Sequence, residues 1–309
     1  MGSVAVVCGG VGAARLLNGL IQVVPTEDLT AIVNVGDDIE LHGLHVSPDL
    51  DTITYTVSGA VSTERGWGLE GETWQAMDML RHYGGEAWFG LGDRDLGTHL
   101  FRTARLRQGA TLSQVTDEIG RAWALPLRLL PVTDDPVRTM VTTVDEGEIG
   151  FQEYFVRRAH DVAVSSVRFA GASSARPAPG VVEALDEAAT IVIAPSNPLV
   201  SVAPVLAVPG VREALIRRRS SVVAVSPLVG GKALKGPADR LLRELGHDAG
   251  AAGIAAYYRD VAATLVLDEI DADQADSVAA RGLRPVVGPT VMSGPAEAKA
   301  LAELVLNAI

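Results

Sequence analysis

Four aspartates, Asp37, Asp38, Asp49 and Asp51, fall within fifteen residues, so one intervening loop suffices to bring their carboxylates together. Hard carboxylate oxygens suit Mg²⁺, which binds through one or two carboxylates and completes its shell with phosphate oxygens or water. Asp37, Asp38 and Asp51 are the candidate metal ligands. Asp51 or Asp49 is the candidate catalytic residue, as acceptor of a hydroxyl proton. A plainer reading stays open, in which Asp49 and Asp51 flank a helix start and Asp51 caps the run 52–57.

A second group of residues suits phosphate. Gly9, Gly10 and Gly12 follow a short Val-rich segment, and a turn without Cβ atoms lets backbone N–H groups approach an anion. Gly10 and Gly12 match two glycines of a dinucleotide fingerprint, but the third position is Arg15, and no Lys-Ser/Thr pair makes a P-loop. The same turn could serve only tight strand-to-helix packing. Arg94 stands between Asp93 and Asp95, which would orient its guanidinium and leave part of the fork for a ligand, or hold it in a structural ion pair. Asn197, between Ser196 and Pro198, is placed to bond a base or ribose, or to cap a helix. Lys232 and Lys235, on a glycine-rich loop, are candidate substrate contacts. His42 and His45 are separated by a glycine and followed by Ser-Pro, which argues for a loop and against a metal pair. Arg217 to Arg219 complement a helix dipole and receive no catalytic role.

Positioning these residues falls to alternating strands and helices. Apolar runs ended by Gly or Asp predict strands at 3–8 and 29–35, with a helix over 13–21 between them, a βαβ unit. Helices are predicted at 73–83, 98–107 and 113–125, and a strand at 87–91. From Arg138 to Phe169, including FQEYFV, β-type alternation suggests an antiparallel excursion, after which βα alternation resumes. The fold class is α/β, a mainly parallel sheet flanked by helices with a smaller β-rich excursion in the middle. The core spans 1–135 and 180–309, and the insertion 136–179. Ligands of such a sheet bind beyond the carboxyl ends of its strands, where the loops carrying Gly9, Asp37, Arg94 and Asn197 fall.

Bulk properties narrow the options. The 309 residues are 48% apolar and only 5% aromatic, a mixture that fits a buried parallel sheet. A net charge of -12 argues against nucleic acid as the main partner. The single cysteine, Cys8, excludes an intrachain disulfide and a multi-cysteine zinc site, and suggests a reducing compartment. The N-terminus lacks a basic start, and no apolar run reaches the ~18–20 residues needed to cross a bilayer, so no membrane partner and a soluble cytoplasmic protein are expected.

Taken in order, GGVGAARLLNGL, NVGDD, HGLHVSPDLDT, RGWGLEGETW, LGDRDLGTHL, LLPVTDDPV, FQEYFV, IAPSNPLVS and AVSPLVGGKALKGPA resemble the 2-phospho-L-lactate transferase family, whose actinobacterial members are the phosphoenolpyruvate transferases of coenzyme F(420) biosynthesis. The resemblance implies a Rossmann-like core, usually a homodimer, with Mg²⁺ as cofactor. It implies transfer of a phosphoenolpyruvyl or 2-phospho-L-lactyl group from a GDP-linked donor to the deazaflavin Fo, with GMP as leaving group. It directs Gly9, Gly10, Gly12 and Asn197 toward the nucleotide, Asp49, Asp51 and Arg94 toward Fo or the metal, and Asp37 or Asp38 toward the metal. Ala13-Ala14 departs from the usual Gly-Ala at the helix start. Two rivals remain, an NAD(P)-dependent oxidoreductase, suggested by the opening βαβ unit, and a noncatalytic nucleotide sensor on the same scaffold.

Overall fold

The computed structural model describes residues 2–309. Seven strands form one parallel sheet: β1 (Val4–Cys8), β2 (Leu29–Val33), β3 (Arg128–Pro131), β4 (Thr190–Ile193), β5 (Val222–Val225), β6 (Thr264–Leu267) and β7 (Arg284–Val287). Their spatial order is β7-β6-β5-β4-β1-β2-β3, with Val6 of β1 opposite Ala31 of β2 on one side and Val192 of β4 on the other. Every residue of β1, β5 and β6 is buried, because helices cover both faces of the sheet and leave no room for polar alternation. The chain winds outward from β1 in one direction and from β4 in the other. The strand order therefore reverses between β1 and β4, and such a switch point opens a crevice at the carboxyl ends of the two strands.

Helix α1 (Gly10–Leu20) follows β1 and packs against both α2 (Pro48–Val57) and the C-terminal helix Pro295–Leu306. The close approach to the last helix requires Gly19, where a Cβ would collide with the Ala298 carbonyl. Helices α3 (Gln75–His82), α4 (Asp93–Arg107) and α5 (Leu112–Ala122) lie between β2 and β3 in the chain. A hairpin of Ile39–Leu41 and Leu44–Val46 precedes α2. Its two-residue turn places His42 and Gly43 at φ of 53° and 72°, the left-handed pair that a tight hairpin demands.

The antiparallel excursion is present as a three-stranded sheet of Arg138–Thr143, Gly147–Gly150 and Val164–Ala170. Two expected strands are not. FQEYFV is helical at Glu153–Arg157, since Phe151, Tyr154 and Phe155 recur at the three- and four-residue spacing of a helix and cluster, Phe151 stacking on Phe155 at 5.5 Å. The run 87–91 has no strand partner. Its Leu91 is buried with Met77, Leu41 and Val46, and Trp88 and Phe89 pack partly buried against that small cluster. Among the described residues no single helix is long and apolar enough to cross a membrane.

Candidate functional site

The crevice is built from its floor upward. Gly12, in the first turn of α1, faces the loop after β4 so closely that a Cβ there would run into the Pro195 carbonyl. Ser196 ties the two loops together, its hydroxyl donating to the Gly9 carbonyl at 2.8 Å. Beyond this seam lies a small solvent-open cleft, bordered by Gly12, Arg15, Asn197, Ser226, Lys235 and Thr290 among others. Two cations and several backbone and hydroxyl groups at the ends of parallel strands can hold an anionic group. Asn197 also accepts the Leu199 N–H at 3.0 Å, so it caps the following helical turn while bordering the cleft.

The acidic cluster sits on the other side of the glycine turn. Helix α2 begins at Pro48 behind Ser47, so Asp49 and Asp51 both lie in its first turn and neither is its cap, which corrects the capping alternative for Asp51. Asp49 accepts the Gly10 N–H at 2.9 Å and the Asn34 side-chain amide at 3.0 Å. This contact exists because residue 9 is glycine, whose absent Cβ would stand 2.5 Å from the Asp49 Oδ2. The Gly10 amide is thereby spent on a carboxylate, not left free for phosphate. Asp38 accepts from the Ser47 hydroxyl at 2.8 Å and lies 2.8 Å from the His45 Nε2, all on its Oδ2. The Asp37 carbonyl accepts from Gln152 at 3.2 Å.

Asp37, Asp38 and Asp49 are all buried, and Asp37 Oδ1 and Asp38 Oδ1 have no hydrogen-bond partner. Burial raises the Asp49 pKa to about 6, with the Asp38 charge adding to the rise and the Asn34 and Gly10 hydrogen bonds opposing it. Burial pushes Asp37 well above the usual carboxylate range, and the neighbouring Asp49 pushes it further. Orphaned, crowded carboxylate oxygens of this kind fit a hard divalent cation, which supplies the missing positive charge.

Asp51 faces another way. The Arg102 guanidinium grips both of its oxygens, through Nη2 to Oδ1 and through Nη1 to Oδ2 at 3.1 Å. On α4, Asp95, His99 and Arg102 are spaced four and three apart and present one face to α2. The His99 Nε2 lies 3.1 Å from Asp95, and the Tyr55 hydroxyl on α2 donates to Asp95 at 2.7 Å. Asp51, Asp95 and His99 each bring a ligand atom within 4.8 Å of the others, but Arg102 and Tyr55 already engage those carboxylates.

Arg94 differs from its expected role. Asp93 turns back to accept the Gln75 and Ala76 amides, both at 3.0 Å, and Asp95 turns to His99 and Tyr55, so neither aspartate orients the Arg94 guanidinium. That side chain is exposed and donates to the Glu70 carbonyl. Lys232 is exposed on a two-residue strand beside Val229, and its neighbour Lys235 borders the cleft instead. Asn34, Arg15, His99 and Arg102 join the site without having stood out in the sequence. For the last two a signal existed, the helical spacing of Asp95, His99 and Arg102.

The strand order defines a class: an α/β protein of the Rossmann type, here with an acidic cluster and an open cleft at its switch point. Within that class, residues 4–291 match the family described as 2-phospho-L-lactate transferase CofD, and the chain belongs to this family. It is 43% identical over 309 residues to a phosphoenolpyruvate transferase of Streptomyces griseus, covering 98% of this chain and 97% of the relative. A phosphoenolpyruvate transferase of Mycolicibacterium smegmatis is 40% identical over 307 residues, covering 94% of each chain. Among solved structures, protein BH3568 of Bacillus halodurans superposes with a TM-score of 0.67 at 17% identity over 99% of both chains, a likeness of fold alone.

Proposed function

We propose that this protein transfers a phosphoenolpyruvyl group from a GDP-linked donor to the terminal hydroxyl of the deazaflavin Fo, releasing GMP, as a step of coenzyme F(420) biosynthesis. Family membership and the names of its relatives support the transfer and the enolpyruvyl unit, with 2-phospho-L-lactate as the alternative cargo. The observation that carries the reading is the glycine turn itself. One side of it borders the cleft through Gly12, and the other is bonded to Asp49 through Gly10, so a diphosphate reaching from cleft to carboxylates spans a single turn of chain.

In this reading the nucleotide lies along Gly12, Asn197, Arg15 and Lys235, whose charge and donors neutralise the phosphates and hold them for in-line attack. Asp37 and Asp38 would hold Mg²⁺, which when bound stabilises charge on the departing GMP oxygen. Asp49, with a pKa of about 6, is the proton acceptor for the attacking hydroxyl. Asp51 drops out as base and ligand, because Arg102 takes both its oxygens. The phosphate expectation for Gly9 and Gly10 reduces to a framing role, since Ser196 and Asp49 bind their backbone groups. Incubating the protein with Mg²⁺, Fo and each GDP-linked donor tests the reading through GMP release and product mass. GMP formed only when Fo is present is the expected result; no GMP with any donor would remove the proposal. The homodimer is part of the same proposal, tested by sedimentation of the purified protein.

A further inference from the structure

The carboxylates crowded at the cation site come from two separate pieces of chain, Asp38 from the loop after β2 and Asp49 from the first turn of α2. Two direct bonds join these pieces, from the Asn34 amide to Asp49 and from the Ser47 hydroxyl to Asp38, while Asp38 Oδ1 has no partner. One buried side chain braces the second piece at two points, His45 and Asp51. Arg102, only 2% exposed, binds the Asp51 carboxylate through two nitrogens and so fixes the turn of α2 that carries Asp49. The same guanidinium lies 3.4 Å from the His45 carbonyl, and the adjacent Thr103 hydroxyl accepts the His45 N–H at 2.8 Å. His45 in turn presents its ring nitrogen to Asp38 at 2.8 Å.

We propose that Arg102 is a positioning residue for a divalent cation: it does not touch the ion, but by clamping Asp51 and the His45 backbone it holds in place the 45–51 segment, whose His45 ring and Ser47 hydroxyl fix Asp38, a ligand of the ion. The inference rests on the Mg²⁺ site of the proposed function and adds to it a residue of like charge to the ion. That sign separates the two possible outcomes. By Coulomb's law alone, deleting a buried positive charge near a cation site strengthens cation binding. A positioning role demands the opposite, because loss of a residue that orients ligands typically weakens a metal site about 10–100-fold.

The test is titration of the protein with Mn²⁺ alone, free ion being read by electron paramagnetic resonance, for the parent chain, Arg102→Gln and the double variant Asp51→Leu/Arg102→Met. The double variant removes the clamp without leaving a lone buried charge, so it folds where Arg102→Gln fails to. At least tenfold weaker Mn²⁺ binding in a variant with native circular dichroism is the expected result. Arg102→Lys, which keeps the charge but not the fork, should fall between. Unchanged or tighter binding in a folded variant overturns the positioning role while leaving the metal site intact. Absence of Mn²⁺ binding by the parent chain overturns both.

Discussion

Asp49 combines two demands that pull against each other. Its carboxylate is buried, which raises its pKa to about 6, and on the proposed function it accepts the proton of the attacking hydroxyl. Asp49→Asn keeps shape and removes the charge, so GMP release should fall by at least ~10²-fold, the usual loss for a general base, while thermal stability at neutral pH holds or rises. A folded Asp49→Asn protein with parental turnover would exclude the role. The pH dependence follows from the same burial. The folded group keeps its proton up to about pH 6, whereas in the unfolded chain it is lost near the ordinary aspartate value of 3.8. Stability of the metal-free protein therefore falls as pH rises from about 4 to about 6, by roughly 3 kcal/mol in all, since each tenfold change in proton affinity is worth ~1.4 kcal/mol. Melting curves of parent and Asp49→Asn should converge near pH 4 and separate toward pH 7, with the parent the less stable. Parallel curves would contradict the burial argument.

At the scale of elements, two joints matter. Between α2 and α4, Asp51 and Arg102 form a buried pair, and Asp51→Asn leaves a guanidinium uncompensated there. The expected cost is about 3–5 kcal/mol, visible as an earlier urea midpoint, and a loss near zero would show that the pair is solvated. Between β1 and β4, Gly12→Ala drives a methyl into the Pro195 carbonyl, so the loops part at a cost of ~1–3 kcal/mol, with weaker GDP binding in calorimetry. These joints also mark the limit of what the sequence discloses. The glycine turn and the acidic residues announce themselves by composition. Which carboxylate faces the ligand does not, because Asp49 and Asp51 are two residues apart on one helix and point to different partners. Arg94 draws notice as the arginine between two aspartates, yet the arginine that pairs with Asp51 lies about two turns further along the same helix, where its spacing from Asp95 and His99 hints at a shared face and contact with α2 identifies the partner. The helical FQEYFV segment is hidden for a similar reason, since its aromatic spacing fits a helix but its β-type surroundings suggest strand.

Across the whole molecule, the parallel sheet can be read from buried Val-rich runs separated by helices, whereas the order of its strands cannot. That order places β4, more than 180 residues from β1 in the chain, directly beside it, and so brings Asn197 to the rim of the glycine turn. On the proposed function, this rim passes an enolpyruvyl phosphate from a nucleotide to Fo. Mass spectrometry of the mixture formed from Fo, the GDP-linked phosphoenolpyruvyl donor and Mg²⁺ is the decisive measurement. The expected products are Fo bearing one phosphoenolpyruvyl group and an equal amount of GMP, and neither should form in the presence of EDTA. Unmodified Fo beside an intact donor, or full conversion with EDTA present, would overturn that function.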